Sequence, residues 1–185
     1  MKKFAVVLAL AASCSSEPAQ QPGTELARKA FEEWVRNAVA GDADKVFATF
    51  SDPYKSNWLF ERLQASDALA RRWRGDLTGR PRTELDLWLG IAKKKGNGRE
   101  EGLPESVLRD AGLAQLFRGY FAQESGMIRT QLSRIVISQV FADDSGVTVA
   151  IKNGQGSTEL YGLINQADGW KIDNYRPPLN PGSIR

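Results

Sequence analysis

The side chains that most often carry catalysis are scarce in this chain. Its 185 residues include no histidine and a single cysteine. Histidine is the commonest general base and the commonest zinc ligand in proteins, so its absence excludes Ser-His-Asp and Cys-His catalysis and histidine-based metal sites. Proton transfer is left to carboxylates and tyrosines. We therefore expect no cofactor, and the sequence alone assigns no catalytic or metal-binding residue.

The acids and tyrosines that stand closest together lie near the C-terminus: Glu159, Tyr161, Asp173 and Tyr175. Glu159 and Tyr161 are two residues apart, so on a strand they share one face. Asp173 follows the apolar Ile172, which predicts that the side chain of Asp173 points toward solvent. Solvated strand faces explain this pattern better than an acid–base site does.

The single cysteine, Cys14, lies directly after an N-terminal apolar stretch. Lys2 and Lys3 precede seven uncharged residues at 4–10, and the small residues Ala-Ala-Ser occupy 11–13. This order resembles the lipobox of bacterial lipoproteins, in which the thiol is alkylated by diacylglycerol and the leader is cleaved before the cysteine. The apolar stretch is far shorter than the ~20 residues that a membrane-spanning helix needs.

The resemblance implies a signal peptide at residues 1–13, lipidation at Cys14 and a protein attached to the cell envelope. Ser15 follows the cysteine where an aspartate would favour retention at the inner membrane, so the resemblance implies the outer membrane, facing the periplasm. An ordinary secretory signal cleaved nearby, with Cys14 incidental, is the alternative. A lipidated Cys14 would leave no thiol for disulfides, thiolate metal sites or redox chemistry.

The rest of the chain divides into a tether and one domain. Residues 14–23 are polar and contain two prolines, which predicts a flexible tether, and residues 24–185 are long enough for a single domain with a sizeable core. The formal net charge is +3, and it falls to +1 when Lys2 and Lys3 leave with the leader. This balance does not indicate a nucleic-acid-binding protein.

Apolar spacing predicts helices through the first two thirds of the domain and strands through the last third. The helices are expected at residues 25–40 with Thr24 as N-cap, after Asp42, over 54–74, from Thr83 to Gly96, and from Pro104 onward. Alternating runs predict strands at 132–141, 147–152, 157–165 and 169–175. Their short Asx- and glycine-containing connectors favour an antiparallel meander. We therefore predict an α+β fold in which the N-terminal helices pack on a curved four-stranded sheet, with Trp34 on the first helix meeting the sheet.

Two segments resemble the nuclear-transport-factor-2-like superfamily. One is Ala-Gly-Asp-Ala-Asp at 40–44 followed by Val-Phe-Ala-Thr-Phe at 46–50, and the other is Leu-Tyr-Gly-Leu-Ile at 160–164 followed by Asp-Gly-Trp-Lys-Ile-Asp at 168–173. The resemblance covers about residues 24–50 and 132–175. It implies a cone-shaped fold whose pocket is an active site, a ligand cavity or an interaction surface in different members. Enzymes of the superfamily pair a pocket acid or histidine with a tyrosine or second acid.

Two groups of residues are candidates for binding. Aromatic walls suit apolar or amphiphilic ligands, although aromatic residues at helical spacing are more often plain core. The candidate pocket residues are Trp34, Trp58, Tyr120, Tyr161 and Asp173. The second group lies between residues 71 and 99, a segment that contains nine basic residues and three acidic residues. The candidate contacts to an anionic surface are Arg71, Arg72, Arg74, Arg80, Arg82, Lys93, Lys94 and Lys95.

The basic segment fits anionic lipid head groups or an acidic envelope protein, and a solvated helical surface is the alternative. Trp73 and Trp88 lie within it and would suit an interfacial position. The expectation from the sequence is a non-catalytic, membrane-anchored lipoprotein that binds a partner protein or an amphiphile. An enzyme that uses carboxylate and tyrosine acid–base chemistry and a structural envelope protein are the alternatives.

Overall fold

A computed structural model describes residues 22–100, 102–143 and 146–176 of the protein. The predicted signal peptide, Cys14 and most of the predicted tether lie outside these residues. Within them, seven helices pack against a four-stranded antiparallel sheet. The helices are α1 (Pro22–Ala40), α2 (Ala43–Ala48), α3 (Asp52–Gln64), α4 (Ala68–Asp76), α5 (Gly79–Lys95), α6 (Glu105–Leu108) and α7 (Ala111–Leu132). The strands are β1 (Val136–Asp143), β2 (Gly146–Lys152), β3 (Thr158–Gln166) and β4 (Gly169–Arg176).

The sheet is the predicted meander, with strand order β1-β2-β3-β4. Val149 of β2 lies opposite Tyr161 of β3, and Leu163 of β3 lies opposite Ile172 of β4. The register between β3 and β4 shifts next to Leu163, and Asp173 has no opposing residue there. An inserted residue of this kind bends a strand and redirects its side chain. The α+β prediction and the antiparallel meander are confirmed.

A first cluster of buried residues, here called the sheet core, joins α1, α2 and part of α7 to the sheet. Phe31, Val149 and Ile151 in it are fully buried. Its buried members are Ala27, Phe31, Trp34, Ala38, Val46, Phe50, Phe117, Phe121, Leu132, Val147, Val149, Ile151, Tyr161, Leu163 and Ile172. Trp170 packs against this cluster and is partly buried. The predicted contact between the first helix and the sheet is therefore confirmed.

A second cluster, here called the helical core, is built by α3 to α7 and the loop after α5. Its buried members are Leu59, Phe60, Trp73, Leu77, Leu85, Trp88, Leu89, Ala92, Leu103, Val107, Leu113, Leu116 and Tyr120. Helix α7 belongs to both clusters, since Leu116 and Tyr120 face the helical core while Phe117 and Phe121 face the sheet core. Both cores therefore depend on one helix of 22 residues.

The predicted single helix over residues 54–74 is wrong: α3 and α4 occupy it. The chain leaves the helical conformation at Ser66, whose φ is 53°. Asp67 then caps α4 by accepting hydrogen bonds from the backbone N–H groups of Leu69 and Ala70. Aspartate is a preferred N-cap residue because its carboxylate satisfies helix N–H groups that lack an intrahelical partner.

Three predicted helix starts are displaced. Thr24 lies inside α1, which begins at Pro22, and Thr83 lies inside α5, which begins at Gly79. Pro104 precedes the short helix α6, and Asp110 caps a separate helix, α7, by accepting from the Gly112 N–H. The predicted stop of α5 is confirmed at Gly96, whose φ of 74° favours glycine.

Candidate ligand cavity

Two neighbouring cavities share Trp34, Phe50 and Tyr54 as lining residues, one among α1, α2, α3 and α7 and the other between helices and the sheet. The aromatic lobe, of about 220 Å³, is lined by Trp34, Ala38, Val46, Phe50, Tyr54, Trp58, Arg62, Phe117, Tyr120, Phe121, Glu124 and Ile128. The polar lobe, of about 210 Å³, is lined by Trp34, Phe50, Tyr54, Gln131, Leu132, Ile135, Asn153, Glu159, Tyr161 and Ile172. Four of the five predicted pocket residues therefore line one lobe or the other, and Trp34 lines both.

Trp34 is held by aromatic neighbours from its own helix and from β3. Its ring centroid lies 5.5 Å from that of Phe31 and 5.4 Å from that of Tyr161. Trp34 is 8% exposed, and its indole Nε1 has no hydrogen-bond partner among the described residues. Buried indole N–H groups usually find an acceptor. The indole Nε1 atoms of Trp73 and Trp88 in the helical core are buried without a partner among the described residues as well.

The polar lobe contains one carboxylate with two hydrogen-bond donors. The side-chain amide of Asn153 donates to Glu159 Oε1 at 2.7 Å, and the Tyr161 hydroxyl donates to Glu159 Oε2 at 3.3 Å. Glu159 and Tyr161 share a face of β3, as their spacing predicts, and Asn153 comes from the turn that joins β2 to β3. Tyr161 is buried and Glu159 is half-buried. This geometry holds Glu159 as a fixed hydrogen-bond acceptor at one end of the cavity.

The aromatic lobe is walled mainly by rings. Trp58 meets Phe117 and Tyr120 edge to face, with centroids 5.6 and 5.5 Å apart. Phe50 stacks on Tyr54 at 4.4 Å. Such arrangements add to the stabilisation that comes from burying the rings. The lobe therefore offers an apolar, well-ordered wall to a ligand.

Charged and polar groups sit at the edge of the aromatic lobe. The Arg62 guanidinium lies 4.8 Å from the centroid of the Tyr120 ring, and its Nη2 lies 3.8 Å from Glu124 Oε1. The Tyr120 hydroxyl donates to Asp67 Oδ1. Burial and this hydrogen bond raise the pKa of Tyr120 to about 12, while the bond from Tyr120 lowers the pKa of Asp67. Tyr120 therefore stays protonated and Asp67 ionised across the neutral pH range.

The prediction that Asp173 points to solvent is wrong. Asp173 is also not among the residues that line the two lobes. It is 7% exposed and lines a groove with Thr148, Gly162 and Asn174. Its carboxylate accepts a hydrogen bond of 2.6 Å from Ser51 Oγ and pairs with the Arg99 guanidinium. The inserted position in β4 redirects the side chain away from the simple alternation.

Asp173 instead connects three elements. Ser51 Oγ, which donates to Asp173, also accepts from the Tyr54 N–H and so caps α3. Arg99, in the loop after α5, additionally donates from Nη1 to the Asp173 backbone oxygen at 2.8 Å. Both carboxylate oxygens are thus engaged within the fold. This arrangement is structural, and it leaves no oxygen of Asp173 free to act in the cavity.

Four of the eight predicted basic contacts are neutralised within the fold. Arg74 and Arg82 both bind Asp86, and Arg80 binds Glu84. Lys95 lies 3.6 Å from Glu100. Arg71, Arg72, Lys93 and Lys94 are exposed. These four form no ion pair with any described residue.

Trp73 and Trp88 are 7% and 4% exposed and belong to the helical core. The interfacial position expected for these two residues is therefore wrong. Sequence reasoning also missed Tyr54 and Arg62 as cavity residues. They lie at four-residue intervals with the predicted Trp58, so the helical periodicity of α3 could have indicated them.

In the described ranges, no group of three or more acidic or cysteine side chains is placed to hold a metal ion. No described helix is both long and apolar enough to cross a bilayer. Comparisons with family models, with curated proteins and with solved structures find no match.

Proposed function

We propose that this protein is a membrane-anchored lipoprotein of the bacterial cell envelope whose domain binds an amphiphilic small molecule in the two-lobed cavity. The carrying observation is the junction of an aromatic lobe and a polar lobe at Trp34, Phe50 and Tyr54. Together the two volumes reach the range of small-molecule sites, roughly 300 to 1,000 Å³. A ligand with an apolar part and a polar end matches both lobes at once.

The chemistry of the two lobes supports this assignment. The apolar part of the ligand would lie against Trp58, Phe117 and Phe121, and its polar end would lie near Asn153 and Glu159. Burial of apolar ligand surface would drive binding, and the polar groups would orient the molecule.

The resemblance to nuclear-transport-factor-2-like domains supports the same proposal. Helices that close one side of an antiparallel sheet enclose a pocket in that superfamily, and the polar lobe lies between helices and the sheet here, while the aromatic lobe is lined by helices and the loop before α3. The inserted residues in β1 and β4 would curve the sheet around the pocket. A purely structural envelope protein would need no such cavity.

An enzyme is the second candidate, because Glu159 and Tyr161 lie together in the polar lobe. A carboxylate beside a tyrosine could move a proton on a bound carbonyl compound. Two features favour binding instead. Glu159 already accepts from Asn153 and Tyr161, and it is only half-buried, whereas a general base is usually activated by strong desolvation.

Mass spectrometry of the protein extracted from membranes tests the anchor and the ligand together. Under denaturing conditions the chain should start at Cys14 and carry the mass of its acyl chains. Under native conditions it should carry a further noncovalent mass. A Cys14→Ala variant recovered from the same cells should carry a ligand of the same chemical class, and that ligand should be released on denaturation. Two or more acyl chains give stable membrane attachment, so Cys14→Ala should leave the membrane fraction or stay uncleaved.

The outcomes separate the parts of the proposal. An unmodified, membrane-bound Cys14→Ala chain identical in length to the wild type would contradict the anchor. Absence of any noncovalent mass, together with no change of tryptophan fluorescence on adding single-chain amphiphiles, would contradict the cavity function. Two molecules related as substrate and product, with the substrate on Glu159→Gln and the product on the wild type, would favour the enzyme, because a change of binding preference alone would not give such a pair.

A further inference from the structure

The solvent face of α5 carries two large apolar side chains. Leu87 is 66% exposed and Ile91 is 44% exposed, and they lie one helical turn apart. The opposite face of α5 is the buried one and contributes Leu85, Trp88, Leu89 and Ala92 to the helical core. A surface helix normally presents polar residues to water. The helical core therefore does not account for Leu87 and Ile91.

Four exposed cations that form no ion pair with a described residue lie on α5 and on the neighbouring helix α4. Lys93 and Lys94 follow in the last turn of α5, where Lys94 shares the face of Leu87 and Ile91. Arg71 and Arg72 are exposed on α4. Helix α4 is joined to α5 through Asp86, which binds Arg74 of α4 and Arg82 of α5. The exposed arginines and lysines therefore belong to neighbouring helices.

Among the described residues, no acid forms an ion pair with these four cations, and the third acid of the segment, Asp76 at the end of α4, offsets one of the charges. Asp86 is already bound by two arginines, and Glu84 binds Arg80 and accepts a hydrogen bond from Ser106. The ion pairs thus use Arg74, Arg80 and Arg82 and leave the outermost charges unpaired. An excess of positive charge remains beside the two exposed apolar side chains.

We propose that this face of α5 and α4 lies on an anionic lipid surface, with Leu87 and Ile91 entering the head-group region and Arg71, Arg72, Lys93 and Lys94 facing the lipid charges. This face is here called the α5 face. A lipid surface fits because the four cations are flexible and unpaired, so they suit a fluid layer of charges rather than fixed partners. This inference is independent of the cavity and of its ligand.

The experiment uses the mature chain from residue 14 with Cys14→Ser, produced without residues 1–13, so that neither acyl chains nor the basic, apolar leader contributes to binding. Flotation with vesicles of equimolar phosphatidylglycerol and phosphatidylcholine is compared with flotation with phosphatidylcholine alone. In this background, Lys93→Glu with Lys94→Glu is matched by Arg36→Glu with Arg134→Glu, two exposed basic residues on other elements. A second test variant combines Leu87→Ser with Ile91→Ser. Its control combines Leu26→Ser with Met127→Ser, at two exposed apolar residues outside the α5 face.

Each basic residue near an anionic leaflet strengthens binding by roughly fivefold, so loss of the two lysines alone should cost about 25-fold in affinity for anionic vesicles, and repulsion by the two introduced glutamates should weaken binding further. Its binding should also depend less steeply on salt. The Leu87 and Ile91 variant should bind several-fold more weakly with the salt dependence unchanged, and both matched controls should bind like the parent chain. The Lys93 and Lys94 variant should melt slightly lower than the parent, because positive charge is favoured in the last turn of α5, and a cooperative melting transition in every variant shows that a loss of binding is not unfolding.

Two results would overturn the inference. One is a parent chain that binds anionic vesicles no better than neutral vesicles. The other is an equal loss for the α5 variants and their matched controls, which would show that only total charge matters. In either case the α5 face would be left as a surface for an acidic protein.

Discussion

The sheet core and the helical core differ in what they leave unfilled. Both use α7 and both bury tryptophan, but the two lobes of the cavity are lined mainly by sheet-core residues. In the sheet core, helices with bulky rings pack on the strands, and gaps remain around Trp34. In the helical core, short helices surround Trp88 and Leu113 from several sides. The proposed ligand site therefore uses space that the sheet core leaves open.

The largest expected effect comes from removing a tryptophan on each side. Trp88 is 4% exposed and meets Phe60 edge to face, so Trp88→Ala should lower the free energy of unfolding by about 3 to 5 kcal/mol. Trp34→Ala should cost less, because one side of the Trp34 ring already borders a cavity, and it should abolish ligand binding. Urea denaturation measures the change in the free energy of unfolding. Isothermal titration calorimetry measures ligand affinity without relying on tryptophan fluorescence. If both variants lost the same stability and both still bound the ligand, Trp34 would be an ordinary core residue like Trp88. The proposed difference between the two cores would then be wrong.

A smaller effect should follow from enlarging one alanine in each core. Ala92→Leu has no free space and should destabilise the protein by about 1 to 3 kcal/mol through overpacking. Ala38→Leu extends into the aromatic lobe, so its stability should stay level or rise while ligand affinity falls. Thermal unfolding with and without ligand checks both variants. A strongly destabilised Ala38→Leu would mean that the lobe is not available space.

The smallest effect concerns Tyr120, where the two cores meet. The pKa of Tyr120 is raised from 10.0 to about 12 by burial and by its bond to Asp67. The folded state therefore holds this proton more tightly than the unfolded state, so the stabilisation is full below pH 10 and is lost as the pH rises toward 12. The free energy of unfolding should fall by roughly 1 to 2 kcal/mol over that interval, relative to Tyr120→Phe, which has no hydroxyl to titrate. Parallel pH profiles of the two proteins would contradict the assignment.

The sheet side of the fold was more accessible to sequence reasoning than the helical side. Strand alternation and short glycine-containing turns predict the meander because neighbouring strands pair locally. The break at Ser66 is harder to predict, since Leu63 and Leu69 continue a helical pattern across it. Asp67 was the available signal for that break, as a preferred N-cap residue.

Local sequence patterns also predicted part of the candidate site. Trp34, Trp58 and Tyr120 follow from helical spacing, and Tyr161 follows from strand alternation. Asp173 could not be placed, because the inserted position in β4 and the partner Arg99 depend on contacts 74 residues apart in the chain. Alternation alone assigns side-chain direction only while the register is regular.

The contact between Ser51 and Asp173 also constrains how the molecule is made. The two residues are 122 positions apart, and the neighbouring Ser51 N–H donates to the backbone oxygen of Ile172 at 2.8 Å. Closing so long a segment costs more entropy than closing a local turn, and contacts of this separation tend to form late. During synthesis, the ribosome must release almost all of the described chain before the first turn of α3 can be fixed to the sheet. Until β4 emerges, the nascent chain holds Trp34 and its aromatic neighbours without the strand that completes their surroundings, which is the interval in which a chaperone would have surface to bind.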